Sequence, residues 1–245
     1  MSAARFYCPP PLPSGQTLEL PPEAAHHASR VLRLRVNDPV QVFDGEGNAL
    51  NAVIGEISGK RVVLEKLKPC PGEQPPALHI VLAQSMCSSE KMDWIVQKAT
   101  ELGAVEIQPV QSQRSVAKLT SERAEKRTEH WRSVIISACE QCGRNTLPQA
   151  YAPQDFGTWL GKMRDAAGTK FILHPEGAAT LSQHPPLHGT VTLLIGPEGG
   201  FSEDELLMAL RIGFIPILLG PHVLRTETAA LAGITALQTL WGDFR

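Results

Sequence analysis

The sequence has no long apolar run. Its longest stretch without Asp, Glu, Lys or Arg, Gly177 to Pro197, is broken by three Pro, three Gly and two His, so no segment reads as a membrane-spanning helix. The first thirteen residues carry Arg5 and then four Pro, with no apolar centre, which is unlike a secretory signal and leaves the cytoplasm as the expected compartment. Cysteine is scarce and odd in number, at five, which argues against a disulfide framework. Cys139 and Cys142 form a Cys-x-x-Cys, but no second pair accompanies it, and His26-His27 have no third ligand at regular spacing. No metal site is expected, and the two thiols read as small buried residues one helical turn apart. Excess charge is lacking too. Lys and Arg number 23 against 25 Asp and Glu, and 42% of residues are hydrophobic, so the chain as a whole reads as folded and near neutral, with no built-in bias towards nucleic acid.

Two nucleotide signatures are also missing. Gly55-x-x-x-Gly59-Lys60 and Gly157-x-x-x-Gly161-Lys162 are each one residue short of a P-loop and lack its Ser or Thr, and no dinucleotide fingerprint is present. The basic residues that exist are local. Arg114 to Arg132 holds six Lys or Arg against three Glu, whereas beyond Lys170 only Arg211, Arg225 and Arg245 remain.

The text of the sequence changes near residue 72. Before it come short alternating runs cut by turn residues: Val40 to Phe43 stops at Asp44-Gly45, and Ala52 to Ile57 stops at Ser58-Gly59 before Arg61 to Leu67. This predicts a small barrel or sandwich. Four Pro between Pro69 and Pro76 can continue neither strand nor helix, so domains of residues 1–72 and 73–245 are expected. The second part alternates. Buried strands are predicted at Leu78–Ala83, Val105–Val110, Lys170–Leu173, Val191–Ile195 and Pro216–Leu219. Helices are predicted from Ser88 or Ser89 to Gly103, over Ser121–Cys142, from the capping box at Ser202-x-x-Glu205, and over Thr226–Trp241, with Thr226 as its cap. Such alternation implies an α/β fold with a mostly parallel sheet, whose ligands bind at the carboxyl ends of the strands.

Three of those ends are glycine or proline loops: Leu173-His174-Pro175, Ile195-Gly196-Pro-Glu198-Gly199-Gly200, and Leu219-Gly220 through Leu224-Arg225-Thr226-Glu227-Thr228. Glycine allows main-chain groups to approach and read the edge of a heterocycle. Arg225 lies at a strand-to-helix junction. Gln141, Arg144 and Asn145 offer flat donors and acceptors suited to base edges or phosphate, and Arg114 leaves the second strand of the alternating part.

Taken together, Arg30-Val-Leu-Arg33, Asp44-Gly45, Glu90-Lys-Met-Asp93, Gln97-Lys98, Glu101-Leu-Gly103, Ala138-Cys-Glu-Gln-Cys-Gly-Arg-Asn145, Leu194-Ile-Gly-Pro-Glu-Gly-Gly200, Leu219-Gly-Pro and Leu224-Arg-Thr-Glu-Thr-Ala229 resemble the RsmE family of SPOUT methyltransferases over nearly the whole chain. The resemblance implies a PUA-like β-barrel for RNA, a C-terminal α/β domain with a deep trefoil knot, and a homodimer. It implies methylation of N3 of a uridine in 16S ribosomal RNA of the small subunit. It also implies S-adenosyl-L-methionine held by Leu173, His174, Pro175, Ile195, Gly196, Glu198, Gly199, Gly200, Leu219, Gly220, Leu224, Arg225, Thr226 and Thr228. His222 stands where relatives often have Arg.

Methylating N3 requires removal of its proton, or stabilisation of the charge that spreads onto O2 and O4. Arg225 is the candidate for stabilising that charge, and Glu198 or Glu227 for accepting the proton; the sequence does not choose between the two. Arg114, Gln141, Arg144 and Asn145 are expected to contact uridine and backbone, and Arg30, Arg33 and Arg35 to add RNA affinity. The alternatives are a non-catalytic RNA-binding protein that kept the fold, and a related enzyme acting on guanine N1 of transfer RNA.

Overall fold

The computed structural model describes residues 3–116, 121–174 and 179–244, so Pro175 of the expected cofactor loop lies outside the described residues. The chain forms two compact units, Met1–Pro75 with Ile136–Leu147, and Pro76–Ile135 with Pro148–Arg245.

The first unit is a mixed five-stranded sheet of β1 (Ala4–Tyr7), β2 (Thr17–Glu19), β3 (Pro39–Phe43), β4 (Ala49–Ser58) and β5 (Arg61–Pro69), beside the short helix α1 (Pro22–His26). The spatial order is β1-β3-β4-β5-β2, a single path rather than two stacked sheets. The β3–β4 turn forms because Asp44 accepts from the amides of Glu46, at 2.7 Å, and Asn48, at 3.1 Å, so the aspartate side chain adds to the backbone bond from the Asp44 amide to the Asn48 carbonyl. Alternate residues Val40, Val42, Ile54, Val62 and Leu64 are buried, as are Ala25 and Ala28, as period-two burial of one sheet face requires.

In the second unit β6 (Leu78–Ser85), α2 (Ser89–Glu101), β7 (Glu106–Gln111), α3 (Ser121–Cys142), β8 (Gln149–Ala150), β9 (Gln154–Asp155), α4 (Phe156–Met163), β10 (Thr169–Leu173), β11 (Ala179–Thr180), β12 (Gly189–Ile195), α5 (Glu203–Arg211), β13 (Ile215–Leu218) and α6 (Thr226–Trp241) follow one another. The end of α3 belongs to the first unit. The sheet runs β11-β13-β10-β12-β6-β7-β8, with β9 also on β7, and its pairings are parallel. Both faces are covered, which is why its strands read as near-continuous apolar runs. Leu194 and Ile172 pack with Phe156, Trp159, Leu160 and Phe214 on one side. Leu193, the neighbour of Leu194, points to the other side, where a Cβ on Gly233 of α6 would meet it at 2.6 Å. Burying an aromatic such as Trp159 contributes about 3–5 kcal/mol relative to Ala.

Local expectations fare unevenly. Ser202 closes the capping box, its Oγ accepting from the Glu205 amide at 3.3 Å while the Ser202 amide donates to Glu205 Oε2 at 3.0 Å. Ser88 occupies the N-cap of α2 but makes no side-chain cap bond. The N-cap of α6 is Arg225, whose backbone is still extended at ψ 153°, and Thr226 is already in the helix, its hydroxyl bonded to the Gly196 carbonyl. Cys139 is buried, whereas Cys142 is exposed, since the last turn of α3 leaves only one face against the core. Among the described residues no helix is long and apolar enough to cross a membrane.

Candidate active site

Strands β13, β10 and β12 are neighbours, so the three loops that leave their carboxyl ends emerge side by side. They enclose a cleft of about 370 Å³, within the range of small-molecule sites. Leu173 and His174 come from the first loop, Ile195, Gly196, Pro197, Glu198, Gly199 and Gly200 from the second, and Leu219, Gly220, His222, Val223, Leu224 and Thr226 from the third. Phe201, Ile217, Leu218 and Ala229 complete the wall, and Arg114 reaches it from the loop after β7. Gly200 at φ +68° and Gly220 at φ +129° occupy backbone conformations that disfavour any side chain, with nothing within 4 Å of a notional Cβ; there the chain turns while staying open to a ligand.

The second loop is held from two directions through its main chain. Thr226 Oγ1 donates to the Gly196 carbonyl at 2.6 Å and accepts from Gln84 Nε2 at 2.9 Å. Arg114 Nη1 donates to the Gly199 carbonyl at 2.8 Å. The loop that carries Arg114 is itself fixed, because the Gln113 amide donates to Glu205 Oε1 at 2.7 Å. Glu205 thus serves both the capping box and the cleft.

Not every residue expected at the site lines it. Arg225 and Thr228 are exposed and, like Glu227, lie outside the cleft lining. Glu198 and Glu227 are nevertheless linked, since Lys91 Nζ lies 3.0 Å from Glu198 Oε1 and 3.3 Å from Glu227 Oε2. The hydrogen bond to Glu198 raises the Lys91 ammonium above its ordinary range against the opposing effect of burial, and Glu227 adds to the rise. Burial pushes the Glu227 carboxyl up, but its own amide, Lys91 and Arg225 outweigh this and leave it below its ordinary value. Desolvation, reinforced by Glu198, pushes the neighbouring Cys87 thiol up to about 12. Lys91 lies within the Glu90-Lys-Met-Asp93 motif, but the sequence alone assigns it no role. The available signal was a lysine in the first turn of a helix, at the positive end of its dipole.

In the first unit Arg30, Arg33 and Arg35 are exposed, with Arg33 at φ +53°. Gln141 is also exposed. Asn145 is not presented outward: it is 9% exposed, and its Oδ1 accepts from Arg5 Nη2 at 2.8 Å while its amide donates to Glu73 at 2.7 Å. The same Arg5 nitrogen donates to the Arg144 carbonyl at 2.8 Å, and the guanidinium lies 4.9 Å over the Phe43 ring. Desolvation lowers the Arg5 pKa. Arg5 therefore sets the geometry of the Arg144–Asn145 turn, a role its place near the N-terminus did not signal. Among the described residues no three His, Cys, Asp or Glu side chains are grouped as a metal would need.

A parallel sheet with a glycine-loop cleft at its carboxyl ends is the arrangement of a ligand-binding α/β unit, and comparison with known proteins says of which kind. Residues 73–238 match the family described as RNA methyltransferase domain, and residues 20–67 match the RNA methyltransferase PUA domain. Ribosomal RNA small subunit methyltransferase E of Buchnera aphidicola from Schizaphis graminum is 35% identical over 239 residues, covering 98% of this chain and 97% of its own. The protein of that name from the Acyrthosiphon pisum symbiont is 33% identical over 241 residues, covering 98% and 95%. The crystal structure of a ribosomal RNA small subunit methyltransferase E from Neisseria gonorrhoeae, bound to S-adenosyl methionine, superposes with a TM-score of 0.91 at 39% identity over the full length of both chains. The chain belongs to the ribosomal RNA small subunit methyltransferase E family of RNA methyltransferases.

Proposed function

We propose that this protein transfers a methyl group from S-adenosyl-L-methionine to N3 of a uridine in 16S ribosomal RNA, acting as a homodimer whose C-terminal domain carries a deep trefoil knot. Residues 1–72 would serve as the RNA-binding domain and 73–245 as the catalytic one. The observation that carries the reading is the cleft, whose lining joins apolar Leu173, Ile195, Ile217, Leu218 and Leu224 with the glycine loop of Gly196 to Gly200. Apolar walls suit the faces of a purine ring, main-chain groups suit its edge, and Glu198 suits a cationic ligand. This donor set fits an adenosylated sulphonium, and the family's S-adenosyl methionine-bound relative supports the same reading.

When bound, the donor supplies an electrophilic methyl group. The residues of the chain do the rest, and most of the acceleration should come from holding the acceptor in line. The loops position; Arg225 stabilises negative charge on the uracil carbonyl oxygens, since its guanidinium stays protonated and forks towards two acceptors. A carboxylate, Glu198 or Glu227, takes the N3 proton. Arg114, Gln141 and Arg144 contact the nucleotide and its neighbours, Asn145 sets the turn that carries Arg144, and Arg30, Arg33 and Arg35 contact phosphate.

Calorimetry with S-adenosylmethionine and its demethylated product, followed by nucleotide mapping of 16S ribosomal RNA from cells with and without the protein, tests this reading. Binding of both small molecules and loss of one N3-methyluridine in the deletion are expected. A folded protein that binds neither would instead be an RNA-binding module.

A further inference from the structure

We propose that Lys91 is a positioning residue that couples Glu198 to Glu227 and fixes the Glu198 side chain at the cleft. The inference rests on the reading of the cleft as the methyl-donor site and assigns different work to the two carboxylates.

The geometry separates them. Glu198 lines the cleft and Glu227 does not. The Glu198 side chain is 34% exposed and that of Glu227 only 16%, and Glu227 Oε2 is buried with no hydrogen-bond partner in good geometry, although the Lys91 ammonium is 3.3 Å away. The order is therefore cleft, Glu198, Lys91, Glu227. One ammonium between two carboxylates leaves the group net negative. Among the described residues the charged or titratable groups that bear on it are Arg225, beside Glu227, and the Cys87 thiol, which stays protonated and uncharged at neutral pH.

The composition of the loop explains the need for such a latch. Between Gly196 and Gly200 only Pro197 and Glu198 carry side chains, and three glycines leave the backbone much conformational freedom. Thr226 anchors the loop through the Gly196 carbonyl and Arg114 through the Gly199 carbonyl. Neither forms a hydrogen bond or ion pair with the Glu198 side chain. Lys91 does, and it comes from α2, 107 residues away in sequence. Stability alone would not select this arrangement: partly exposed ion pairs add little to folding, and a cation in the first turn of a helix is locally disfavoured. Positions where local preference is overruled are typical of functional sites.

The test uses the full chain with Lys91→Met, Lys91→Arg and Lys91→Gln, the last in case the Met variant does not fold. Carboxyl NMR titration of the donor-free protein should show the Glu227 midpoint rising by about one unit in Lys91→Met or Lys91→Gln and staying near wild type in Lys91→Arg. With saturating donor and RNA, kcat should fall about tenfold or more in the uncharged variants and largely recover in Lys91→Arg, while the calorimetric Kd for the donor changes less than about threefold. Wild-type kcat and an unmoved Glu227 titration in a folded Lys91→Met or Lys91→Gln protein would overturn the proposal. A wild-type protein that binds no donor would overturn the reading of the cleft instead, and the Glu227 titration would still decide whether Lys91 couples the two acids.

Discussion

Thr226 Oγ1 lies 2.6 Å from the Gly196 carbonyl oxygen and 2.9 Å from Gln84 Nε2, so one buried hydroxyl ties the start of α6 to the glycine loop and to the end of β6. Thr226→Val keeps the shape and removes both bonds, leaving a carbonyl and an amide without this partner. A loss of about 1–3 kcal/mol in urea unfolding is expected, together with weaker donor binding by calorimetry. An unchanged midpoint would mean that water replaces the hydroxyl.

Arg225 stands at the N-cap of α6, exposed and outside the cleft lining. Its side chain is exposed beside Glu227, so its replacement leaves the bonds that hold the glycine loop in place. Arg225→Ala should lower kcat by about two orders of magnitude while donor affinity stays nearly constant. Single-turnover kinetics at saturating donor separates these effects, and a wild-type rate would remove Arg225 from the mechanism.

Gly103 ends α2 at φ +90°, and a Cβ there would run into the Gln238 side chain, whose Nε2 donates to the Leu102 carbonyl at 3.0 Å. Gly103→Ala combines backbone strain with the loss of that bond. The expected destabilisation is about 1–3 kcal/mol, read as a lower Tm with little change in kcat at permissive temperature.

The Glu227 carboxyl sits below its ordinary value of 4.5. A carboxylate held low in the folded state stabilises the fold above the unfolded pKa, and that contribution disappears as pH falls through the folded value. Stability should therefore decline on acidification below about 4.5, and Glu227→Gln should flatten this part of the curve. Urea midpoints measured from pH 3 to 7 provide the comparison.

Four of the five thiols should differ sharply. Burial pushes Cys8 and Cys87 up to about 12. Cys139 is also raised, first by its hydrogen bond with Cys142 and then by burial, whereas Cys142 is exposed. Because the thiolate is the reactive form, maleimide at neutral pH should label Cys142 fastest and leave Cys8, Cys87 and Cys139 unlabelled until denaturant is added. Mass spectrometry of labelled peptides reads the order directly.

Local patterns fixed much of the second unit in advance. The extents of α3 and α6 follow from helical spacing of apolar residues with breakers or a change of pattern at their ends, and the capping box at Ser202 needed only residues three apart. Asp44 likewise marked its turn through a side chain that reaches its own neighbours. Thr226 shows the limit of such reasoning: in isolation it reads as a cap, but a hydroxyl binds whichever buried partner the fold presents, and here that partner is Gly196. Asn145 was legible as a polar residue after a helix stop, not as the acceptor of Arg5, because the two lie 140 positions apart.

By itself the sequence determined that strands and helices alternate, that three strands end in loops able to receive a ligand, and where the two parts divide in composition, since all of these depend on groups within a few residues of one another. Tertiary structure alone decided that β13, β10 and β12 lie side by side, that Arg114 closes on Gly199, and that Lys91 stands between Glu198 and Glu227. A strand buried on both faces is apolar whoever its neighbours are, so strand order and every contact that follows from it become definite only when the whole sheet packs.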